Sequence, residues 1–218
     1  MSKRSKILIA IAAALFLAFA GAAAYFLLFH RFVRVPTAAM ANTIIPGDRV
    51  LCRTHLGEIK RGDIVLFKYA TDPKVMYLKR VIGLPGETIQ IKGRRVFING
   101  GELPEERALV RPPDPQEPES PVVKVEPKPQ GASYRVFYDI ELSSDADGLE
   151  IDRGMKYGTT EPYRIPQGHY FLLGDSRDNS MDSRYLGTVP RELIVGRAMM
   201  IIDSTAKVAE GRSFKPLK

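Results

Sequence analysis

The sequence predicts a mainly β protein: an antiparallel β-sheet domain carrying an inserted second β region, preceded by one N-terminal transmembrane helix. Ile7 to Phe29 is a run of 23 residues without a charge. After it come short apolar or alternating segments, separated by Pro-Gly, Asn-Gly and other glycine-containing turns. Beyond the run no strong helical periodicity is found, and period-two alternation is the mark of a half-buried strand.

The uncharged run comes first. At about 1.5 Å per residue it makes roughly 35 Å of helix, enough to cross a hydrocarbon core of about 30 Å with some tilt. Lys3, Arg4 and Lys6 precede it, which places residues 1–6 in the cytoplasm and everything after residue 30 on the far side. His30, Arg31 and Arg34 follow it and weaken that asymmetry. Ala22-Ala23-Ala24 has the small residues of a secretory cleavage site. The apolar run nevertheless continues through Tyr25-Phe26-Leu27-Leu28-Phe29, longer than the 7–15 residues of a signal core. Residues 7–29 are therefore read as an uncleaved anchor, with a lipid bilayer as partner.

Strands are expected at Asp48–Arg53, Asp63–Tyr69, Met76–Ile82, Thr88–Ile91 and Arg95–Ile98. Turns at Pro46-Gly47, Pro85-Gly86 and Asn99-Gly100 separate them, the last as a hairpin tip running to Leu103. Residues 111–130 hold seven prolines, which excludes a central strand and predicts an extended or mobile loop. β character resumes over Tyr134–Leu142 and again over His169–Leu173, and Arg191–Leu193 predicts one helical turn after Pro190. Leu149–Tyr163 is polar and carries no clear signal. The organisation expected is a β domain of residues 32–101 and 166–206, with residues 102–165 inserted as a region containing the proline-rich loop.

Composition narrows the function. The chain has 218 residues, is 44% hydrophobic and 26% charged, and carries a net charge of +7. Its basic residues are scattered rather than in runs, so no nucleic-acid partner is expected, and anionic lipid headgroups suit the charge better. Cys52 is the single cysteine, so no intrachain disulfide forms, and its apolar strand marks it as a buried structural thiol. His30, His55 and His169 are far apart and show no ligand spacing; no metal is expected.

Three segments carry chemistry. The first is Val35-Pro36-Thr37-Ala38-Ala39-Met40-Ala41-Asn42-Thr43-Ile44-Ile45-Pro46-Gly47-Asp48. The second runs from Tyr77-Leu78-Lys79-Arg80 to Gly83-Leu84-Pro85-Gly86-Glu87. The third is Gly174-Asp175-Ser176-Arg177-Asp178-Asn179-Ser180-Met181-Asp182-Ser183-Arg184-Tyr185-Leu186-Gly187, continuing to Pro190. Lys79 lies in a mostly apolar strand. A lysine amine pointing into such a setting is desolvated, its neutral form is favoured, and it becomes able to accept a proton. The adjacent Lys79-Arg80 is equally compatible with a surface pair. The third segment packs Asp175, Arg177, Asp178, Asp182 and Arg184 into ten residues, either as a solvated turn or as a loop fixed by bidentate arginine–carboxylate pairs.

With the anchor, these segments resemble, in order, the sequence boxes of bacterial type I signal peptidases, membrane-anchored Ser/Lys proteases. The resemblance covers residues 7–101 and 166–200. It implies that Lys79 is the general base of a Ser/Lys dyad. It implies that Ser180 orients the lysine amine while Asp182 and Arg184 hold the loop. In the first box the family pattern is Pro-Ser-x-Ser-Met, which places Thr37 on the first serine as an oxyanion donor and Met40 at the substrate-binding methionine. Ala39 falls on the second, nucleophilic serine, and alanine has no nucleophile. Loss of a catalytic serine costs orders of magnitude in rate. If the segment is extended, Thr37 and Thr43 lie roughly 7–14 Å along the strand from position 39, too far to replace it. Asn42, Ser176 and Leu186 also depart from residues common at their positions.

The resemblance implies removal of signal peptides from exported preproteins at the outer face of the bacterial plasma (inner) membrane, by strand addition beside the first box and with no cofactor. Three readings follow from Ala39. An active parent carries an introduced alanine, a natural homologue binds export signals or a membrane partner without cutting, or the chain is an unrelated anchored β module. All site reasoning assumes that position 39 faces the Lys79 amine.

Overall fold

A computed structural model of the chain describes residues 2–111, 119–141, 154–159, 161–206 and 211–217. Helix α1 spans Lys3–Phe29, with Ser2 Oγ accepting from Ser5 N at 3.2 Å as its N-cap. It begins four residues before the uncharged run, because Lys3, Arg4 and Lys6 are good helix formers and their charges do not break a helix. None of its side chains is buried, and its most apolar stretch has a mean hydropathy of 2.6, enough to cross a membrane by length and composition.

Strand β1 (His30–Arg34) follows the helix without a linker. It pairs antiparallel with β2 (Asp48–Arg53), and just beyond β2 Thr54 N donates to the carbonyl O of Phe29, the last residue of α1, at 2.8 Å. Next come β3 (Ile64–Lys68), β4 (Met76–Gly83), β5 (Thr88–Lys92), β6 (Arg95–Ile98) and β7 (Gly101–Glu102). β8 (Glu106–Val110), β9 (Val122–Val125), β10 (Arg135–Asp139), β11 (Tyr163–Arg164) and β12 (His169–Leu173) lead to the short helix α2 (Ser183–Leu186). β13 (Val189–Pro190), β14 (Ile194–Ser204) and β15 (Lys215–Pro216) complete the order, with a single helical turn at Arg191–Leu193 as expected.

The main sheet has the order β1-β2-β14-β3-β4-β12-β13, with β15 also on β14. Its spine is the 11-residue β14, which pairs with both β2 and β3 through several register shifts. Such bulges bend a strand and curl the sheet around it. β11-β5-β6-β7 and β10-β8-β9 form two smaller sheets. The mainly β, antiparallel class holds with one exception among the described strands: β10 runs parallel to β8. The chain turns back antiparallel as β9 on one edge of β8, then crosses to the other edge as β10.

Strands from Asp48 through Ile98 and at His169–Leu173 lie within a residue of their expected bounds. β9 falls inside the proline-rich stretch. Its prolines stand outside the ladder, with Pro121 before it and Pro127 after it, and the strand lies at a sheet edge where proline is tolerated. Residues 112–118, and 149–153 and 160 of the polar segment, lie outside the described residues. Two apolar layers position the site. One packs Val35, Met40, Ile44, Leu66 and Leu78 beneath the first motif. The other packs Val65, Val81, Leu172 and Ile194. Cys52 is fully buried, and burial pushes its thiol up to about 12, which leaves it inert at neutral pH.

Candidate active site

The site begins with β4. Lys79 pairs with Val65 of β3 and is 2% exposed. Its amine closes no hydrogen bond among the described residues and sits 5.6 Å from the centre of the Tyr77 ring. Burial lowers its pKa from 10.5 to about 8; the Asp182 charge pulls it up, Arg184 down and Asp175 up. Desolvation wins because no carboxylate is in contact to hold the proton. Alternation along β4 sends the neighbouring Arg80 to the opposite face. It is 1% exposed and grips Asp175 with two hydrogen bonds, Nε to Oδ1 at 2.7 Å and Nη2 to Oδ2 at 2.6 Å. Arg80 is thus an interior fork rather than half of a surface pair.

The third motif leaves β12 and is held as a rigid loop by buried ion pairs. Arg184 donates Nε to Asp182 Oδ1 at 2.8 Å and Nη2 to Oδ2 at 2.9 Å, and it also donates to the Arg177 carbonyl. Asp182 caps α2 by accepting from Arg184 N and also takes Gly174 N at 3.0 Å. Burial raises the Asp182 carboxyl, but the Arg184 charge and these donors outweigh it and hold it below the ordinary range. Ser180 helps that depression, yet its buried Oγ closes no well-formed hydrogen bond. The bond expected between Ser180 and the Lys79 amine is not formed.

A second set of partners had no signal in the sequence. Arg177, 2% exposed, forks onto Glu105, which is fully buried and lies far from the motif in sequence. Tyr134 donates its hydroxyl to Glu105 at 2.9 Å, and the Tyr138 hydroxyl accepts from Arg177 at 3.2 Å. Nothing local marks Glu105, which sits in Leu103-Pro104-Glu105-Glu106; only an excess of buried arginine in search of a carboxylate points to it. Phe137 N donates to Asp175 O at 2.8 Å, and Asp139 N to Asp178 Oδ2 at 2.8 Å, so the loop runs along β10.

The first motif folds onto this loop. Val35 N and Gly47 N exchange hydrogen bonds with Asp48 O and Val35 O, both at 2.9 Å, which closes residues 36–46 into an excursion from the sheet. Within it the chain is not extended. Ala41 N donates to Ala38 O at 2.9 Å and Ile44 N to Met40 O at 2.8 Å, so residues 38–44 are turns. The spacing expected for an extended strand around position 39 therefore does not hold. Ser176 N donates to Ala39 O at 3.3 Å, and Asp175 N contacts Met40 Sδ at 3.4 Å. Gly174 lies at this junction. A Cβ there would stand 2.2 Å from Ser180 Oγ and 2.4 Å from Ala39 O, so only glycine lets the two motifs meet.

Beside the junction is a cleft of about 240 Å³, walled by Val35, Thr37, Met40, Met76, Tyr77 and Lys79 among others. Its lining is mostly apolar, as a pocket for small side chains requires. Thr37, Met40 and Lys79 thus share one cavity, while Asp182 and Arg184 act on the Lys79 amine from the neighbouring loop. Ala39 lies between Thr37 and Met40 but adds no wall to the cleft; its carbonyl faces Gly174 and Ser176.

Residues 6–202 match the family model described as "Signal peptidase, peptidase S26". The chain belongs to this signal peptidase family. Signal peptidase I of Pseudomonas fluorescens is 32% identical over 197 residues, spanning 77% of this chain and 63% of that protein. The Pseudomonas aeruginosa enzyme is 34% identical over the same extents, 77% and 63%. That of Rickettsia canadensis is 38% identical over 195 residues, 78% of this chain and 71% of its own. The chain spans 63% of the length of the two Pseudomonas relatives. A crystal structure of signal peptidase I from Enterococcus faecalis superposes with a TM-score of 0.39 at 25% identity, covering 65% of this chain and 97% of that one. The peptidase S26 match takes in most of α1 and all three motifs, and stops before β15.

Proposed function

We propose that this site is that of a signal peptidase, built to receive the extended segment at the end of an export signal and incomplete for cutting it. The observation that carries the reading is the buried Lys79 amine, poised near pH 8 beside an apolar cleft. A lysine that gives up its proton near pH 8 and has no carboxylate in contact suits proton transfer rather than structure. In this reading Lys79 is the general base, Thr37 the oxyanion donor and Met40 part of the substrate wall. Asp182 and Arg184 set the field at the amine, and the unbonded Ser180 Oγ is left to orient it once substrate is bound. The substrates are signal peptides of exported preproteins. Helix α1 holds the β domain at the extracytoplasmic face of a bilayer, where such segments emerge.

Position 39 supplies the nucleophile in this scheme, and Ala39 has none. With a serine there, its Oγ attacks the scissile carbonyl carbon while Lys79 Nζ takes the hydroxyl proton. Thr37 Oγ1 donates to the resulting oxyanion. Collapse breaks the C–N bond, and Lys79 returns the proton to the leaving amine. Water, deprotonated by Lys79, then attacks the acyl carbon, the ester C–Oγ bond breaks, and Lys79 returns the proton to the serine Oγ. The chain as it stands binds and does not cut. Binding of a labelled signal peptide and cleavage of a preprotein separate these steps. The expected outcome is binding by both the chain and Ala39→Ser, with cleavage by Ala39→Ser alone. Failure of both to bind would contradict the reading.

A further inference from the structure

The turn that carries position 39 is tied to two places outside the three motifs: Ser120, reached by Asn42 of the turn itself, and Arg212, which lies beyond the family match. Asn42 lies in the middle of the turn of residues 38–44. Its side-chain amide pairs with the backbone of Ser120 in both directions, Nδ2 to Ser120 O at 2.9 Å and Ser120 N to Oδ1 at 3.0 Å. Arg212 lies ten residues past the end of the family match and is 5% exposed. It forks onto the fully buried Asp48, Nε to Oδ1 at 3.2 Å and Nη2 to Oδ2 at 2.6 Å. Arg212 Nη2 also reaches Thr43 O at 3.2 Å, and Nη1 pairs with Glu119, the neighbour of Ser120. Asp48 takes a further bond from Ile45 N at 2.9 Å.

These contacts converge on residues 42–48. From there the path to the site is short. Ile44 N is bonded to Met40 O, and Met40 with Ala39 forms the junction with Asp175 and Ser176. The segment that carries Arg212 is itself fixed, since β15 pairs with β14 and Leu217 N donates to Met199 O at 2.9 Å.

We propose that Asn42 and Arg212 are positioning residues, a clasp that seats the turn of residues 38–44 against the Gly174–Ser176 loop and so keeps the Lys79 side chain buried at the floor of the cleft. The proposal rests on the functional reading above for its purpose, but its test does not. Charged groups acting on the Lys79 amine are Asp182, Arg184 and Asp175, and neither clasp residue is among them. Any effect of the clasp on the amine must therefore pass through the geometry of the turn. A loosened turn lets water reach the amine, and its titration returns toward the ordinary lysine value.

The test is competitive acetylation of the full-length chain in detergent with trace acetic anhydride across pH 6–11, reading Lys79 by peptide mass spectrometry. In the unaltered chain Lys79 is expected to label slowly with a midpoint near pH 8. In Asn42→Ala, Arg212→Lys and Arg212→Ala the midpoint moves up toward 10.5 and labelling at high pH becomes faster. Val96→Ala, in the fully buried core of another sheet, controls for general destabilisation: it lowers the melting temperature and leaves the midpoint in place. Asn42→Ala keeps the test valid if Arg212→Ala fails to fold. An unchanged rate and midpoint in folded Asn42→Ala and Arg212→Lys would overturn the clasp. So would an equal shift in Val96→Ala. Failure of Ala39→Ser to cut preproteins would sink the functional reading and leave this outcome untouched.

Discussion

Lys79 is held in a state that costs stability. Its pKa falls from 10.5 to about 8 on folding, a penalty of about 3 kcal/mol at most. The sign follows from proton binding. Below about pH 8 folded and unfolded chains both carry the proton, and the full penalty applies. Between about 8 and 10.5 the unfolded chain keeps a proton that the folded chain has lost, so stability rises with pH across that window. Lys79→Met removes the penalty. It is expected to stabilise the protein by about 1–3 kcal/mol at pH 7 and to flatten the rise above pH 8, measured by denaturant unfolding at several pH values. A lysine that were merely structural would give the opposite sign at pH 7. Glu105 shows the converse case. Glu105→Ala leaves Arg177 buried without its carboxylate, a loss of about 3–5 kcal/mol by the same measurement. Glu105→Gln, which keeps one acceptor, is expected to cost less.

At the scale of elements, the loop from Gly174 to Asp182 and the turns of residues 38–44 function as one unit. Gly174→Ala tests their contact. Its Cβ would meet the Ala39 carbonyl at 2.4 Å and Ser180 Oγ at 2.2 Å, and a backbone oxygen cannot move aside cheaply. The variant is expected to stay folded, to lose signal-peptide binding by at least about tenfold, and to shift Lys79 labelling, since a misplacement of about 1 Å at a site costs up to about 100-fold. How much of this was legible in the sequence depends on range. Strands such as Asp48–Arg53 and Arg95–Ile98 were readable because alternation and glycine turns are local signals. The apolar neighbours of Lys79 admit a buried amine but also a surface pair, and the alternating charges of the third motif admit arginine–carboxylate forks but also a solvated turn; only the resemblance to the family favours the buried reading of each. The coiling of residues 38–44 was not readable, because the short Thr37–Thr43 stretch, mostly alanine and threonine, has no period and its shape is set by Asp48 beside it and by Ser120 and Arg212 far along the chain. β14 was missed as a single long strand because its bulges break the alternation that would have revealed it. Glu105 and Arg212 are partners chosen by tertiary packing alone.

At the scale of the whole molecule, a membrane-length helix joins a β domain with no linker between Phe29 and His30. None of the α1 side chains is buried, so the β domain does not depend on the helix for its core. A chain beginning at His30 is therefore expected to fold, to keep the Lys79 labelling midpoint, and to leave the membrane fraction, as sedimentation with and without vesicles would show. The curled sheet and the loop fixed by buried forks set the Lys79 amine beside an apolar cleft, and in the proposed reading that site lacks only the atom at position 39. The most direct test is preprotein cleavage by three forms in detergent: the chain itself, Ala39→Ser, and Ala39→Ser combined with Lys79→Met. Ala39→Ser alone is expected to cut, with a rate that rises with pH and levels off above about pH 8. Cleavage by the unaltered chain, or by the form that lacks the lysine, would contradict the assignment of the dyad.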